Sequence, residues 1–341
     1  MSGTIKVAVL GVGALGQHHA RIYSELQKAG QIQIVGLYDA DPERAKEIAK
    51  EHDIPVLSSP EAVLSSVEAV SIVTPTTTHF ELASQALENG LHVLVEKPMT
   101  EDANQATKLV QLAQDKNCVL QVGHVERFNP IFDYLQSVAT EPRFIETHRL
   151  SPYPKRSMDI GVVLDLMIHD LDIVLAFVNS PIKDVDGVGV PVLSESEDIA
   201  NARIKFENGC VANLTASRVS PERMRKIRVF SGGESTSYVS LDYQKQEGYI
   251  YRIAAKDAEK SSLWQKLLHA KDTAIVSEFA GKKVVREPVP IEKEEPLKLE
   301  LQHFIQCVAQ KQTPKVSGEA GRQALEVALE ITRQIQQLEP S

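Results

Sequence analysis

Cysteine is scarce in this 341-residue sequence: Cys118, Cys210 and Cys307 are the only three. They are odd in number and far apart, which suits neither a disulfide framework nor a zinc cluster and points to a reduced compartment. Basic charge is also short, with 37 Lys and Arg against 46 Asp and Glu and a formal charge of -9. A broad surface for nucleic acid or anionic membrane is therefore not expected, and any phosphate must be met locally. No apolar run reaches the roughly 20 residues that a membrane span requires. No basic stretch leads into an apolar run ahead of the first strand, so no secretory segment is expected and the chain reads as cytoplasmic. Internal repeats and low-complexity linkers are missing too. What is present, 43% hydrophobic and 24% charged residues over this length, is the composition of a globular protein with two domains.

The most informative stretch is Gly11-Val12-Gly13-Ala14-Leu15-Gly16. Ile5 to Leu10 precedes it as a short apolar strand, and a helix from Ala14 to Lys28 follows. In such a turn Gly11 permits the tight bend, Gly13 admits a pyrophosphate close to the backbone, and Gly16 lets the helix lie on its strand. The helix start, with Ala14 and Leu15, then offers N–H groups and partial positive charge to the phosphates. A second apolar strand, Ile32 to Tyr38, ends at Asp39, 23 positions after Gly16. A carboxylate there accepts the ribose hydroxyls and repels a 2'-phosphate, which favours NAD over NADP. Arg44 and Lys46 lie close behind and keep NADP open.

Strands and helices alternate through the first third. Pro42 to His52 reads as a helix capped by Asp41, Ala69 to Val73 as a strand, His79 to Asn89 as a helix and Leu91 to Val95 as a strand. Asp102 to Lys116 and Cys118 to Val122 add one more of each. Apolar strands in this alternation predict a doubly wound parallel sheet, an α/β Rossmann domain over residues 1–124, with ligands at the carboxyl ends of the strands. Beyond Arg143 the pattern changes. Phe144 to Leu150, Ala202 to Phe206, Val211 to Ser217, Lys226 to Phe230 and Tyr238 to Leu241 follow one another closely, several with a period of two. Asn208-Gly209 marks a hairpin. Residues 125–341 are thus expected to form an α+β domain on an open, mostly antiparallel sheet for substrate binding and oligomerisation. One helix, Val162 to Phe177, interrupts the strands, and Ala255 to Asp272 reads as an inserted helix or flap. Leu299 to Gln310 and Gly318 to Gln336 are amphipathic, and the last is available to pack back on the first domain.

Several constellations could carry chemistry. Glu96-Lys97-Pro98 sets a lysine at a strand's carboxyl end, where proton transfer or a hydrogen bond to a substrate hydroxyl is within its means; the plain alternative is a surface lysine. Asp165, His169, Asp170 and Asp172 fall in one helix, and a spacing of four puts Asp165 and His169 on one face while Asp170 points elsewhere. A metal site there lacks any accompanying histidine or cysteine cluster, so no metal is expected and acid-base work by His169 is favoured over a structural histidine. Thr74-Pro75 with His79 opens a helix where hydroxyls and amides could line a cofactor, or Thr78 could simply cap the helix. Pro152 to Arg156 is a stiff loop whose Lys155 and Arg156 suit a diphosphate, unless they are only a solvated pair.

Taken in order, the glycine motif with His19, Thr74-Pro75-Thr76 with His79, Glu96-Lys97-Pro98, and Asp165 with His169-Asp170 resemble the motifs of the glucose-fructose oxidoreductase, inositol dehydrogenase and MocA family. The resemblance covers nearly the whole chain. Within the family, Gly123 to Pro130, and the run from Arg149 through Val162, are most similar to the UDP-N-acetylglucosamine 3-dehydrogenase subgroup. What it implies is an NAD-dependent oxidoreductase that oxidises the C3 hydroxyl of a nucleotide sugar to a ketone. Lys97 and His169 would act on one hydroxyl, with the choice of base left open. Gly11, Gly13, Ala14, Leu15, Gly16, Asp39, Thr74, Pro75, His79, Glu96 and Lys97 would hold the cofactor, and Asp165, Arg127, Asn129, Lys155 and Arg156 the substrate. The resemblance also implies a homodimer or homotetramer. Two alternatives stand beside it: a dehydrogenase for a free sugar, inositol or non-sugar carbonyl, and a regulator that binds NAD without chemistry.

Overall fold

The structure, a computed structural model, describes residues 4–153, 160–233, 236–253, 274–279 and 282–338. The expected inserted helix at Ala255 to Asp272 and the pair Lys155 and Arg156 lie outside the described residues. The chain divides into two compact units, residues 1–128 with 295–327 and residues 129–294 with 328–341.

In the first unit five strands, Ile5–Leu10 (β1), Ile32–Tyr38 (β2), Ala69–Ile72 (β3), His92–Glu96 (β4) and Leu120–Gly123 (β5), alternate with helices Gly16–Lys28 (α1), Pro42–His52 (α2), Pro60–Leu64 (α3), Thr76–Glu88 (α4) and Ala103–Asp115 (α5). All pairings are parallel, in the order β2-β1-β3-β4-β5. This is the doubly wound sheet that the apolar strands require, since helices on both faces leave no wet side for alternation. Local chemistry sets most boundaries. Asp41 caps α2 by accepting from Glu43 N (3.0 Å) and Arg44 N (3.3 Å), and Pro42 occupies the first turn. Other boundaries move by a few residues: α1 starts at Gly16, two after Ala14, and α4 at Thr76, three before His79. β5 starts at Leu120 because the chain leaves α5 through Asn117 at φ 53°, a left-handed residue that cannot continue a helix or open a strand. After the strands comes a 3-10 turn, Val125–Phe128.

The second unit contains helix Pro130–Val138 (α6) and strands Pro142–Leu150 (β6), Ile182–Val190 (β7), Ile199–Phe206 (β8), Val211–Ser217 (β9), Met224–Ser231 (β10), Ser237–Asp242 (β11), Glu247–Ile253 (β12), Ala274–Phe279 (β13) and Lys282–Pro288 (β14). They form one sheet, ordered β13-β14-β12-β11-β10-β6-β9-β8-β7, in which β6 and β9 pair in parallel and the rest antiparallel. β8 alternates exposed and buried without interruption, the pattern of a sheet with one covered face. Strands β7 and β12 to β14 carry no clear signal in the sequence. In β7 the reason is Gly187 and Gly189, whose Cβ atoms would come within 2.9 and 2.8 Å of Ile331 and Ile335. Glycines that weaken a strand's propensity here let the final helix lie against it.

That final helix is Gly318–Leu338 (α9), preceded by Pro296–Gln310 (α8). Helix α8 places Leu301, Phe304 and Cys307 in the same buried cluster as Val7, Tyr23, Ile34 and Ala45, which is why residues 295–327 count with the first unit. The expected helix Val162 to Phe177 is two elements: a π-helical turn over Val163–Met167 and helix Ile168–Val178 (α7). Among the described residues no helix is long and apolar enough to cross a membrane.

Candidate functional site

At the end of β1 the glycines are sorted by what surrounds them. Gly11 has φ 85°, and a Cβ there would stand 2.6 Å from the Val73 carbonyl oxygen. A Cβ at Gly16 would meet the Gly11 carbonyl oxygen at 1.9 Å. Packing thus demands both. Gly13 is different: a Cβ built on it meets nothing within 4 Å. No described atom crowds that position, which leaves room for close approach of a ligand. Helix α1 begins without a side-chain cap and without an acidic residue in its first turn, leaving its amino end for an anion.

Asp39 sits half-buried beyond β2. Its Oδ2 accepts from Val12 N (2.6 Å) and its Oδ1 from Asp41 N (2.9 Å), so the carboxylate holds the glycine loop while keeping acceptor capacity for a ribose diol. Arg44 packs beside it, donating to Val12 O (3.1 Å), Gln17 Oε1 (2.8 Å) and Glu47 Oε2 (2.7 Å). Lys46 is turned to the helix surface, paired with Glu43 at 2.8 Å.

Thr74 and Pro75 form the turn between β3 and α4. The Thr78 hydroxyl lies in the first turn of that helix, 2.7 Å from Thr74 Oγ1 and 2.9 Å from Pro75 O. His79 is 1% exposed, behind this turn. Glu96, which ends β4, is buried: Oε1 stands 3.3 Å from His19 Nε2 of α1, and Oε2 accepts from Lys97 N (3.2 Å). Gly123 of β5 makes room for it, since a Cβ there would press on the Glu96 carboxyl at 2.5 Å. Lys97 follows half-buried, with a cis peptide to Pro98. His124, fully buried at the end of β5, is held down at about 3 by burial and by the charges of Lys97 and Arg127. The burial of His124 and the pairing of His19 with Glu96 are not announced by the motifs that contain these residues. The apolar strand that ends at Gly123 is the one signal for His124, and pairing of His19 with Glu96 depends on the sheet order.

Arg127 and Asn129 are buried. Arg127 Nη2 donates to Lys315 O (3.1 Å); Asn129 caps α6 through Ile131 N (3.2 Å) and donates to Tyr243 O (3.1 Å). In the second unit Asp165 and His169 are half-buried on the π turn and the start of α7, whereas Asp170 and Asp172 are buried. Asp170 receives Arg149 in a two-pronged pair, Nη2 to Oδ1 at 2.8 Å and Nε to Oδ2 at 3.1 Å. A π turn is uncommon and concentrates at functional positions. The segment leading into it is fastened by two neighbours. Glu197 accepts from Val163 N (3.2 Å) through Oε1, and its carbonyl accepts from Val162 N (2.9 Å). Arg218, 1% exposed, donates to Ile160 O (2.6 Å) and to Asp198 Oδ1 (2.7 Å). These anchors come from residues 34 to 58 positions away along the chain, so no local pattern announces them.

Residues 5–124 match the oxidoreductase family with an NAD-binding Rossmann fold, and residues 136–235 match the Gfo/Idh/MocA C-terminal domain. The chain belongs to the Gfo/Idh/MocA oxidoreductases. It is 37% identical over 328 residues to a UDP-N-acetylglucosamine 3-dehydrogenase of Acidithiobacillus ferrooxidans, an alignment covering 96% of either chain. A scyllo-inositol 2-dehydrogenase (NAD(+)) of Bacillus subtilis is 27% identical, over 97% of this chain and 94% of that one. A solved structure of the Acidithiobacillus ferrooxidans enzyme superposes with a TM-score of 0.86 at 36% identity, covering 98% of each chain. Levoglucosan dehydrogenase in complex with NADH and levoglucosan shares the fold, with a TM-score of 0.80 at 17% identity. The first unit is an NAD-binding domain, and the Gly13 clearance, the uncapped start of α1 and Asp39 fit that cofactor. Among the described residues no group of three or more His, Cys, Asp or Glu could hold a metal ion.

Proposed function

We propose that this oxidoreductase oxidises the C3 hydroxyl of a UDP-N-acetylglucosamine-type nucleotide sugar to a 3-keto sugar. The observation that carries the reading is the near full-length likeness to the Acidithiobacillus ferrooxidans UDP-N-acetylglucosamine 3-dehydrogenase. Bound NAD supplies the acceptor for the sugar's hydride. The chain's own residues do the rest. Gly11, Gly13, Ala14, Leu15 and Gly16 receive the pyrophosphate, Asp39 the adenosine ribose, and Thr74 and Pro75 line the cofactor. Lys97 and His169 are the proton-handling groups: one takes the hydroxyl proton as the hydride leaves, and the other holds the developing ketone oxygen. Asp165, half-buried on the π turn just ahead of His169, serves to orient the sugar or the imidazole. Lys155 and Arg156 meet the diphosphate. The protein works in the cytoplasm as a homodimer or homotetramer.

A panel of nucleotide sugars and free sugars, assayed for NADH formation, tests the substrate. Turnover of UDP-N-acetylglucosamine supports the reading, whereas turnover of inositol or a free sugar alone refutes it. Lys97→Met and His169→Asn should each lower kcat by roughly 10²- to 10⁴-fold with NAD binding preserved. The double variant should lose much less than the product of the two, because groups acting on one step are not additive. Lys155→Ala with Arg156→Ala should raise KM for the nucleotide sugar with kcat unaltered, and an unchanged KM would remove the diphosphate role.

A further inference from the structure

We infer that His79 is a buried imidazolium that ties the turn after β3 to the turn after β4 and so sets the position of Lys97. Its Nδ1 lies 2.9 Å from the Pro98 carbonyl oxygen and its Nε2 lies 2.8 Å from the Thr74 carbonyl oxygen. Carbonyl oxygens only accept. A neutral imidazole has one N–H, so one of these two contacts would set a bare nitrogen lone pair against an oxygen lone pair. With both nitrogens protonated, both contacts become hydrogen bonds, and a bond to a charged donor is the stronger kind.

Burial opposes this charge and draws the imidazole below its usual value, while the Pro98 and Thr74 carbonyls and the Glu96 carboxyl raise it. The contact geometry decides between them, because the neutral ring would set a bare nitrogen against a carbonyl oxygen in a buried place. Glu96, at the end of β4, is the charged group that acts on His79, and it faces His19 Nε2 at 3.3 Å as well. The carboxyl that receives the Lys97 N–H therefore also balances the imidazolium. Thr74 lines the proposed cofactor site, and Pro98 directly follows Lys97. A single buried ring thus spans both turns, and His79 is a positioning residue. Its exposure of 1% accounts for a histidine in the cofactor motif that offers no surface to a cofactor.

The effect on Lys97 rests on the proposed dehydrogenase reading; the protonation of the ring does not. Histidine-labelled nitrogen NMR of the full chain at pH 8, above the ordinary histidine range, reads the ring directly, with the signal assigned through the backbone of residues 78–80. Two protonated ring nitrogens are expected, and a neutral tautomer overturns the inference. His79→Gln, whose donors sit on one nitrogen and so cannot take the place of both ring nitrogens, should lower kcat about tenfold or more while KM for UDP-N-acetylglucosamine stays within about twofold. An unchanged kcat, or a loss confined to KM, also overturns it. Failure of the unaltered chain to reduce NAD with any nucleotide sugar counts against the dehydrogenase reading alone, since the ring nitrogens are read without turnover.

Discussion

In the proposed reading, the choice between NAD and NADP turns on one carboxylate and one guanidinium. Asp39 holds the Val12 N–H and is the carboxylate proposed to meet the ribose, while Arg44, tied to Val12 O, Gln17 and Glu47, is the cation that a 2'-phosphate would need to recruit. Lys46 is engaged by Glu43 instead. We expect NAD to bind at least tenfold more tightly than NADP, a gap of roughly 1.4 kcal/mol. Asp39→Ser should narrow that gap in calorimetry, because it removes the repulsion and leaves Arg44 in place. Equal affinities in the unaltered protein would show that Arg44 already outweighs Asp39. Asp39 was legible because its distance from the glycine motif is a property of the chain. Employment of Arg44 was not, for its partners Val12 and Gln17 stand 32 and 27 positions away.

At the scale of an element, the π turn and helix α7 depend on the residues that hold their entry. Asp198 is buried, with Oδ2 accepting from Val192 N (2.9 Å), Leu193 N (2.6 Å) and Ser194 N (2.9 Å) and Oδ1 from Ser194 Oγ (2.8 Å) and Arg218 Nε. Desolvation pushes this carboxyl up, but the backbone donors and Arg218 hold it well below the usual carboxylate range. Removing one partner of a buried pair leaves the other charge uncompensated, so Asp198→Ala should cost about 3–5 kcal/mol in urea unfolding. A loss under about 1 kcal/mol, the range of an exposed pair, would mean that Arg218 finds another acceptor. Arg218 also secures Ile160, just ahead of the π turn with Asp165 and the start of α7 with His169, so the surviving folded variant should show a lower kcat as well. A helical spacing of four located Asp165 and His169 in the sequence. It could not reveal the π turn, which interrupts the helical period that such spacing assumes.

For the molecule as a whole, stability against acid follows from His124. Burial first, then the charges of Lys97 and Arg127, depress its folded value to about 3 from an ordinary 6.5. The unfolded chain therefore binds this proton more readily. The resulting stability is complete above pH 6.5 and is lost as pH falls from there towards 3, at about 1.4 kcal/mol per pH unit. The urea midpoint should drop between pH 7 and pH 5, and His124→Asn should flatten that drop. An equal slope in both proteins would move the acid sensitivity to other groups.

Sequence alone determined the parallel first sheet, the glycine turn, the place of Asp39 directly after the second strand, and the mostly antiparallel character of the second sheet, because each rests on local order along the chain or on the period of an apolar pattern. Tertiary structure decided that Glu96 faces His19, that His79 spans Thr74 and Pro98, that Asp198 and Arg218 hold the approach to His169, and that residues 295–327 return to the first unit. Those arrangements depend on which strand ends become neighbours and which apolar helix face finds an open core, and neither is a property of any short stretch of chain.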